Sequence, residues 1–223
     1  MPLFFFRVII AVTIRFAVAN RVRGDFMARL LYQGHGSFRI TTDSGAVVFV
    51  DPYIKDGCDV PADVILVSHQ HGDHNQIGLI TQKPGCVVIT EAEALLGGKH
   101  NTFNVLGIEI EAVEAQNKNH TPDQCVGYIV TVDGFKLYFS CDTSKTDQMA
   151  SFAAKKLDYA FLCTDGFYNM GLEEAAQCAE LIGARHNVQV HIKPGELFDR
   201  ALAEQFAAPN RLIIEAGEEI ELQ

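Results

Sequence analysis

The 223-residue chain has no Cys-x-x-Cys pair, no excess of basic residues and no uninterrupted apolar run long enough to cross a bilayer. Each absence excludes something. The six cysteines, Cys58, Cys86, Cys125, Cys141, Cys163 and Cys178, are scattered. They read as reduced thiols, largely packed, in a protein of the cytoplasm. With 18 Lys and Arg against 28 Asp and Glu, the formal net charge is −10. A chain of that sign is not expected to act by gripping nucleic-acid phosphates. It can still take an anionic small molecule, because bound cations would set the field of a site. Residues 3–19 are apolar but carry Arg7 and Arg15. Each Arg costs about 2.5–3.5 kcal/mol at the centre of a spanning helix, so a membrane anchor is not expected. A leader cleaved after Ala17-Val18-Ala19 would lack a basic n-region. Residues 1–26 are therefore read as an extension or an upstream start, and 27–223 as one domain opening at Met27.

Histidine is also scarce, with eight in the chain. Three of the eight fall in one heptad, Ser68-His69-Gln70-His71-Gly72-Asp73-His74. Imidazole and carboxylate are ligands of borderline metals such as zinc, manganese and iron. The heptad follows Val64-Ile65-Leu66-Val67, a β-branched apolar run that reads as a buried strand. In extended chain, residues two apart point the same way, so His69 and His71 can reach one metal together. Gly72 permits a turn, past which Asp73 and His74 can reach a second metal. A His-rich loop that binds nothing is the bland alternative, and a position directly after a buried strand argues against it.

The rest of the pattern mixes strands and helices. Strands are expected at 28–32, 38–42, 46–50, 87–90, 102–105 and 108–113. A second series is expected at 126–132, 135–140, 159–162, 188–191 and 211–215. Asp133-Gly134 marks a two-residue hairpin. Helices are expected at 92–96, 146–154 and 172–182. Further ligand-type residues close expected strands or sit in loops after them: His120 ends a polar run, Asp142 follows 135–140, and His191 closes 188–191. His100 reads as a solvated turn residue. His186 reads as lying at a helix end, favoured there by the dipole. Asp142 could instead cap a helix near Thr146, and His191 could be a satisfied core histidine. Gln70, Asn75, Lys145, Asp165, Tyr168 and Lys193 flank the motifs and are candidate substrate contacts. Solvated loop positions are the bland reading of each.

From Leu30 to Glu219 the chain resembles the metallo-β-lactamase superfamily, and within it small bacterial hydrolases that include the ascorbate-6-phosphate lactonases. The likeness is carried by Gly34-His35-Gly36-Ser37-Phe38, Val50-Asp51-Pro52, the heptad, His120-Thr121-Pro122-Asp123, Cys141-Asp142-Thr143 and His191. It implies an α/β (α+β) fold, a four-layer αββα sandwich. It implies two divalent ions, Zn2+ first and Mn2+ or Fe2+ as alternatives. His69, His71 and His120 would hold one, and Asp73, His74 and His191 the other. Asp142 would bridge them, and Asp51 would orient a ligand imidazole from behind. A hydroxide between the metals, oriented by Asp73 as catalytic carboxylate, would attack a small ester, lactone or phosphoester. Two departures stand out. Cys141 occupies the place of the family's usual Gly before the bridging Asp, as a reactive thiol or a packed side chain. Asp123 stands where thioesterase-type members carry Gly after the Pro. The competing functions are a one-iron oxidoreductase of the same fold, suggested by Cys141, and a non-catalytic metal-binding protein. The expected partner is a small-molecule substrate, anionic ones included, and self-association is left open.

Overall fold

The computed structural model describes residues 27–223; the extension expected over 1–26 lies outside them. The first half of the chain lays down β1 (Arg29–Gly34), β2 (Ser37–Thr41), β3 (Val47–Val50), β4 (Ala62–Leu66) and β5 (Gln82–Ile89). Helix α1 (Glu91–Ala94) follows, closed at its start by a capping box between Thr90 and Glu93. The second sheet is then built from β6 (Thr102–Val105), β7 (Ile108–Glu114), β8 (Val126–Val132), β9 (Phe135–Phe139) and β10 (Tyr159–Cys163). Helix α2 (Leu172–Ile182) leads into β11 (His186–Val190), α3 (Arg200–Ala203) and β12 (Arg211–Leu212). The chain finally crosses back as β13 (Glu219–Glu221), pairing antiparallel with β1.

The sheet orders are β13-β1-β2-β3-β4-β5 and β12-β11-β10-β9-β8-β7-β6. Each sheet starts antiparallel and turns parallel, at the β3–β4 pair and at the β9–β10 pair. The two inner faces bury one continuous core. Its centre is aromatic: Phe38, Phe139 and Phe161 lie 4.8–4.9 Å apart by ring centroid. Each such ring contributes about 1.5–3 kcal/mol by burial. This trio underlies the polar site described below.

The outer face of the second sheet is covered by α2, which buries Ala175, Cys178, Ala179 and Ile182, a helical spacing of one face. Gly183 ends it in the left-handed conformation. The outer face of the first sheet carries a thinner cover, in which Val60 and Ile77 pack on Phe49 and Ile65. The layered αββα reading therefore holds, with unequal outer layers. No helix among the described residues is long and apolar enough to cross a membrane.

Several expected elements differ. The helix expected at 146–154 is a 3-10 run, Asp147–Lys155. Its buried anchors, Met149 and Phe152, recur at three residues, which suits three per turn. His186 opens β11 rather than ending a helix, because α2 already stops at Gly183. The last expected strand shrinks to Arg211–Leu212, since the chain must leave the second sheet to supply β13. β5 starts five residues before the expected strand and includes Pro84; it is a sheet edge, where a missing N–H donor costs little.

Candidate metal centre

Every heteroatom cluster of interest sits beyond the C-terminal ends of strands. Asp51 follows β3, the heptad follows β4, His120 lies in the loop after β7, Asp142 after β9, Asp165 after β10 and His191 after β11. Three of these turn-offs use left-handed backbone on residues other than Gly: Asp51 (φ 46°), Cys141 (φ 52°) and His191 (φ 46°). His35, between β1 and β2, is a fourth (φ 58°). Such backbone costs about 1 kcal/mol or more per residue and persists only where surroundings enforce it. The left-handed Cys141 also accounts for a glycine at that place in the resembled family. Its thiol donates toward the Phe139 carbonyl and is pushed well above its ordinary pKa by burial. Of the two readings of Cys141, the packed side chain fits this environment and the reactive thiolate does not.

The structure brings together all seven residues proposed as ligands. The rings of His69, His71 and His120 form a triangle with centroid separations of 4.5–4.7 Å. Asp142 Oδ2 lies 3.9 Å from His69 Nε2, while its Oδ1 lies 3.3 Å from His74 Nε2 and 3.4 Å from His191 Nε2. One carboxylate thus turns one oxygen to each group. Asp73 Oδ2 is 3.9 Å from both His74 Nε2 and His191 Nε2. Two nitrogen or oxygen donors on one tetrahedral ion, bonded at about 2.0–2.1 Å, lie about 3.4 Å apart. His69 Nε2, His74 Nε2, both nitrogens of His120, His191 Nε2 and Asp142 Oδ1 are buried without a hydrogen-bond partner. Buried polar atoms are normally satisfied, so convergent orphans of this donor type fit divalent cations.

Behind the floor of this cluster is a rigid frame. Asp51, fully buried, accepts from the Ser68 N–H (2.7 Å) and the Ser68 hydroxyl (2.7 Å). Its Oδ2 also faces His74 Nδ1 at 2.9 Å. The Ser68 hydroxyl lies 2.9 Å from His69 Nδ1. Asp51 therefore fixes one imidazole from each group, directly and through Ser68. Gly36 lets His74 fit, since a Cβ there would come within 3.1 Å of its ring.

Three placements differ from the sequence reading or go beyond it. Asp165, read as a candidate substrate contact, has a fully buried side chain 3.1 Å behind His191 Nδ1. His191 and the loop N–H groups hold the Asp165 carboxyl below the ordinary carboxylate range against burial. His35, to which the sequence reading assigned no role, faces Asp73 Oδ2 with Nε2 (3.1 Å) and the Glu196 carbonyl with Nδ1 (3.1 Å). Its ring packs on His191 at 3.7 Å. Ser68 was visible only as the first letter of the heptad. Of the other candidate contacts, Tyr168 lines the cleft. Gln70 donates to Glu91, Asn75 to Gln70, and Lys193 to Glu196. Lys145 is exposed, and its backbone N–H donates to Glu174.

The electrostatics divide the imidazoles. His69 is held down to about 2, by burial first and then by nearby His74. Burial also works against a charged His74, but the Asp142 and Asp51 carboxylates outweigh it and raise the group to about 9. Burial opposes ionisation of Asp142, yet His74, His191 and His69 hold its carboxyl below the ordinary range. Asp73 is likewise held low against burial, chiefly by His35. The arrangement opens to solvent through a cleft of about 490 Å³ lined by His71, Asp73, Asn119, Tyr168, Pro194 and Gly195, among others. That size suits a small molecule.

The sequence profile of the Beta-lactamase superfamily domain matches residues 29–191. A UPF0173 metal-dependent hydrolase of Pyrococcus furiosus is 26% identical, over 88% of this chain and 100% of its own. One from Nitratidesulfovibrio vulgaris is 31% identical, over 73% of this chain and 79% of its own. The solved structure of a metallo hydrolase from Ignicoccus hospitalis superposes with a TM-score of 0.70 at 19% identity. It covers 88% of this chain and 99% of its own. That last likeness is one of fold.

Proposed function

The chain belongs to the beta-lactamase superfamily, as a metal-dependent hydrolase, and from that premise we propose that it holds two divalent ions and hydrolyses a small ester, lactone or phosphoester. The observation that carries the proposal is the divided Asp142 carboxylate, with His69 on one side and His74 and His191 on the other. His69, His71 and His120 would hold the first ion, and Asp73, His74 and His191 the second, with Asp142 between. Zinc is the first choice for this donor set, and manganese or iron fit the same ligand types. Bound ions of this kind lower the pKa of water and polarise the scissile carbonyl or phosphoryl oxygen.

The protein's own groups supply orientation. Asp73 is the catalytic carboxylate of this reading. Its side chain is about one-third exposed to the cleft and is fixed by His35. Held ionised beside the cleft, the Asp73 carboxylate would accept the O–H of an attacking water and so aim its lone pair at the substrate; it does not donate a proton at neutral pH. Asp51 and Asp165 keep the ligand imidazoles from rotating, so their Nε2 atoms stay aimed inward. A lactone with a charged substituent, as the sequence resemblance implies, is one version of the proposed substrate.

The test is metal per chain by mass spectrometry on protein purified without chelator, paired with hydrolysis of a panel of lactones, carboxylic esters and phosphoesters. About two equivalents and turnover lost on chelation are expected. One equivalent of iron, with oxygen uptake on thiol or persulfide substrates, would replace this reading by the oxidoreductase. No metal, and none taken up on dialysis, would overturn the ligand set.

A further inference from the structure

The cleft has one rim that the hydrolytic site does not explain. Phe167 and Tyr168 are 59% and 42% exposed, adjacent, and T-shaped to one another at 4.6 Å. Tyr168 lines the cleft beside Asn119 and His120. Lys118 Nζ stands 5.0 Å from the Phe167 ring centre and 5.9 Å from that of Tyr168. No acidic side chain pairs with Lys118 among the described residues, so a chain of net charge −10 carries an uncompensated cation at the mouth of its cleft.

The exposure of these rings is built in. Asp165 Oδ1 accepts from the N–H groups of Phe167 (2.7 Å), Tyr168 (2.6 Å) and Asn169 (3.2 Å). Asn169 Nδ2 donates to Asp165 Oδ2 at 2.7 Å, and Asn169 Oδ1 accepts from Asn117 Nδ2 at 2.7 Å. Asn117 Oδ1 in turn accepts from the N–H groups of Asn119 and His120. One hydrogen-bonded chain therefore links the carboxylate behind His191 to the loop of His120. The loops it ties together carry Phe167, Tyr168 and Lys118. Two large rings held out in water by so many bonds forfeit burial free energy that a floppy loop would recover by folding them in.

We propose that this rim is a specificity site for the part of the substrate remote from the scissile bond, and that it takes a flat apolar group carrying a negative charge. The rings supply the stacking surface, and Lys118, fixed by its cation–π contacts, supplies the charge partner. The inference rests on the hydrolytic reading for the word substrate, but its evidence is the rim itself.

The test measures binding to the metal-loaded protein by titration calorimetry with three probes: 2-naphthoate, acetate and 2-naphthalenemethanol. Acetate shares the carboxylate and lacks the ring, while the alcohol shares the ring and lacks the charge. Wild-type protein is expected to bind naphthoate about tenfold or more tighter than acetate. F167A/Y168A removes that preference. K118A removes the preference for naphthoate over the alcohol and leaves the ring preference. Metal content, measured on the same samples, stays at the wild-type value in each variant. Equal affinity of wild type for naphthoate and acetate, or a ring preference that survives F167A/Y168A, overturns the proposal. Those results would leave a metal-loaded, hydrolytically active protein standing, whereas failure of the hydrolytic reading would show as absent metal or absent turnover.

Discussion

Three imidazoles of the candidate metal centre are gripped from behind, while His71 at its mouth and the buried His120 are not. His69 and His74 share the Asp51–Ser68 frame, and His191 has Asp165. His71 is exposed and has no such partner among the described residues. The floor also rests on the Phe38–Phe139–Phe161 trio, so its geometry is set by the same packing that holds the two sheets together. The difference teaches where stability and activity separate. On the proposed reading the floor residues would serve both the fold and the metal, whereas His71 at the mouth would serve the metal and turnover alone.

The strongest way to break the comparison is Asp51→Ala. It strips the Ser68 N–H, the Ser68 hydroxyl and His74 Nδ1 of their acceptor in a fully buried place. Loss of about 3 kcal/mol of folding stability is expected in metal-free protein, read from urea unfolding. Both ions should be lost, because both groups lose a fixed ligand. Asp165→Asn is milder, about 1 kcal/mol, since the amide keeps an acceptor for the loop N–H groups. Its effect on metal is selective: affinity at the His191 ion should fall by about 10–100-fold, and content should move from two toward one equivalent. A variant that lost both ions equally would show that Asp165 does not act through His191. His71→Ala should leave unfolding within about 0.5 kcal/mol of wild type while abolishing turnover. A destabilisation as large as that of Asp51→Ala would erase the distinction between floor and mouth.

The same division explains what could be read from the sequence. The heptad is legible because four ligand-type residues are local, and a strand before it fixes which way they point. Asp51 and the ligands of the second half were nominated as strand-end residues, a property that hydrophobic runs reveal. Asp165 is also a strand-end residue, and its sequence neighbours could not say whether it faces the cleft or the back of His191. That depends on the left-handed backbone of His191 and on Asn169, neither of which has a sequence signature. Lys118 and Phe167 are distant in the chain and meet only through folding, so their contact was invisible. The helical run expected over 146–154 is present at Asp147–Lys155, and its 3-10 form is not legible in the sequence because a buried pair three apart fits either period.

The smallest expected effect is a slope with pH, and it sets two floor ligands against each other. His69, held down to about 2, already offers a neutral nitrogen at physiological pH. His74, raised to about 9, is protonated there in metal-free protein and must release that proton to bind an ion. The logarithm of metal affinity should therefore climb by about one unit per pH unit between roughly 6.5 and 9, then flatten. Stability of the metal-free chain should run the other way. A group whose pKa is raised on folding contributes fully below its unfolded value of 6.5 and loses that contribution as pH rises through about 9. Metal titrations and urea unfolding across this window give the two slopes. Opposite signs would identify His74 as the shared group. Removing the Asp142 charge with Asp142→Asn should flatten both, because that carboxylate is the largest influence raising His74.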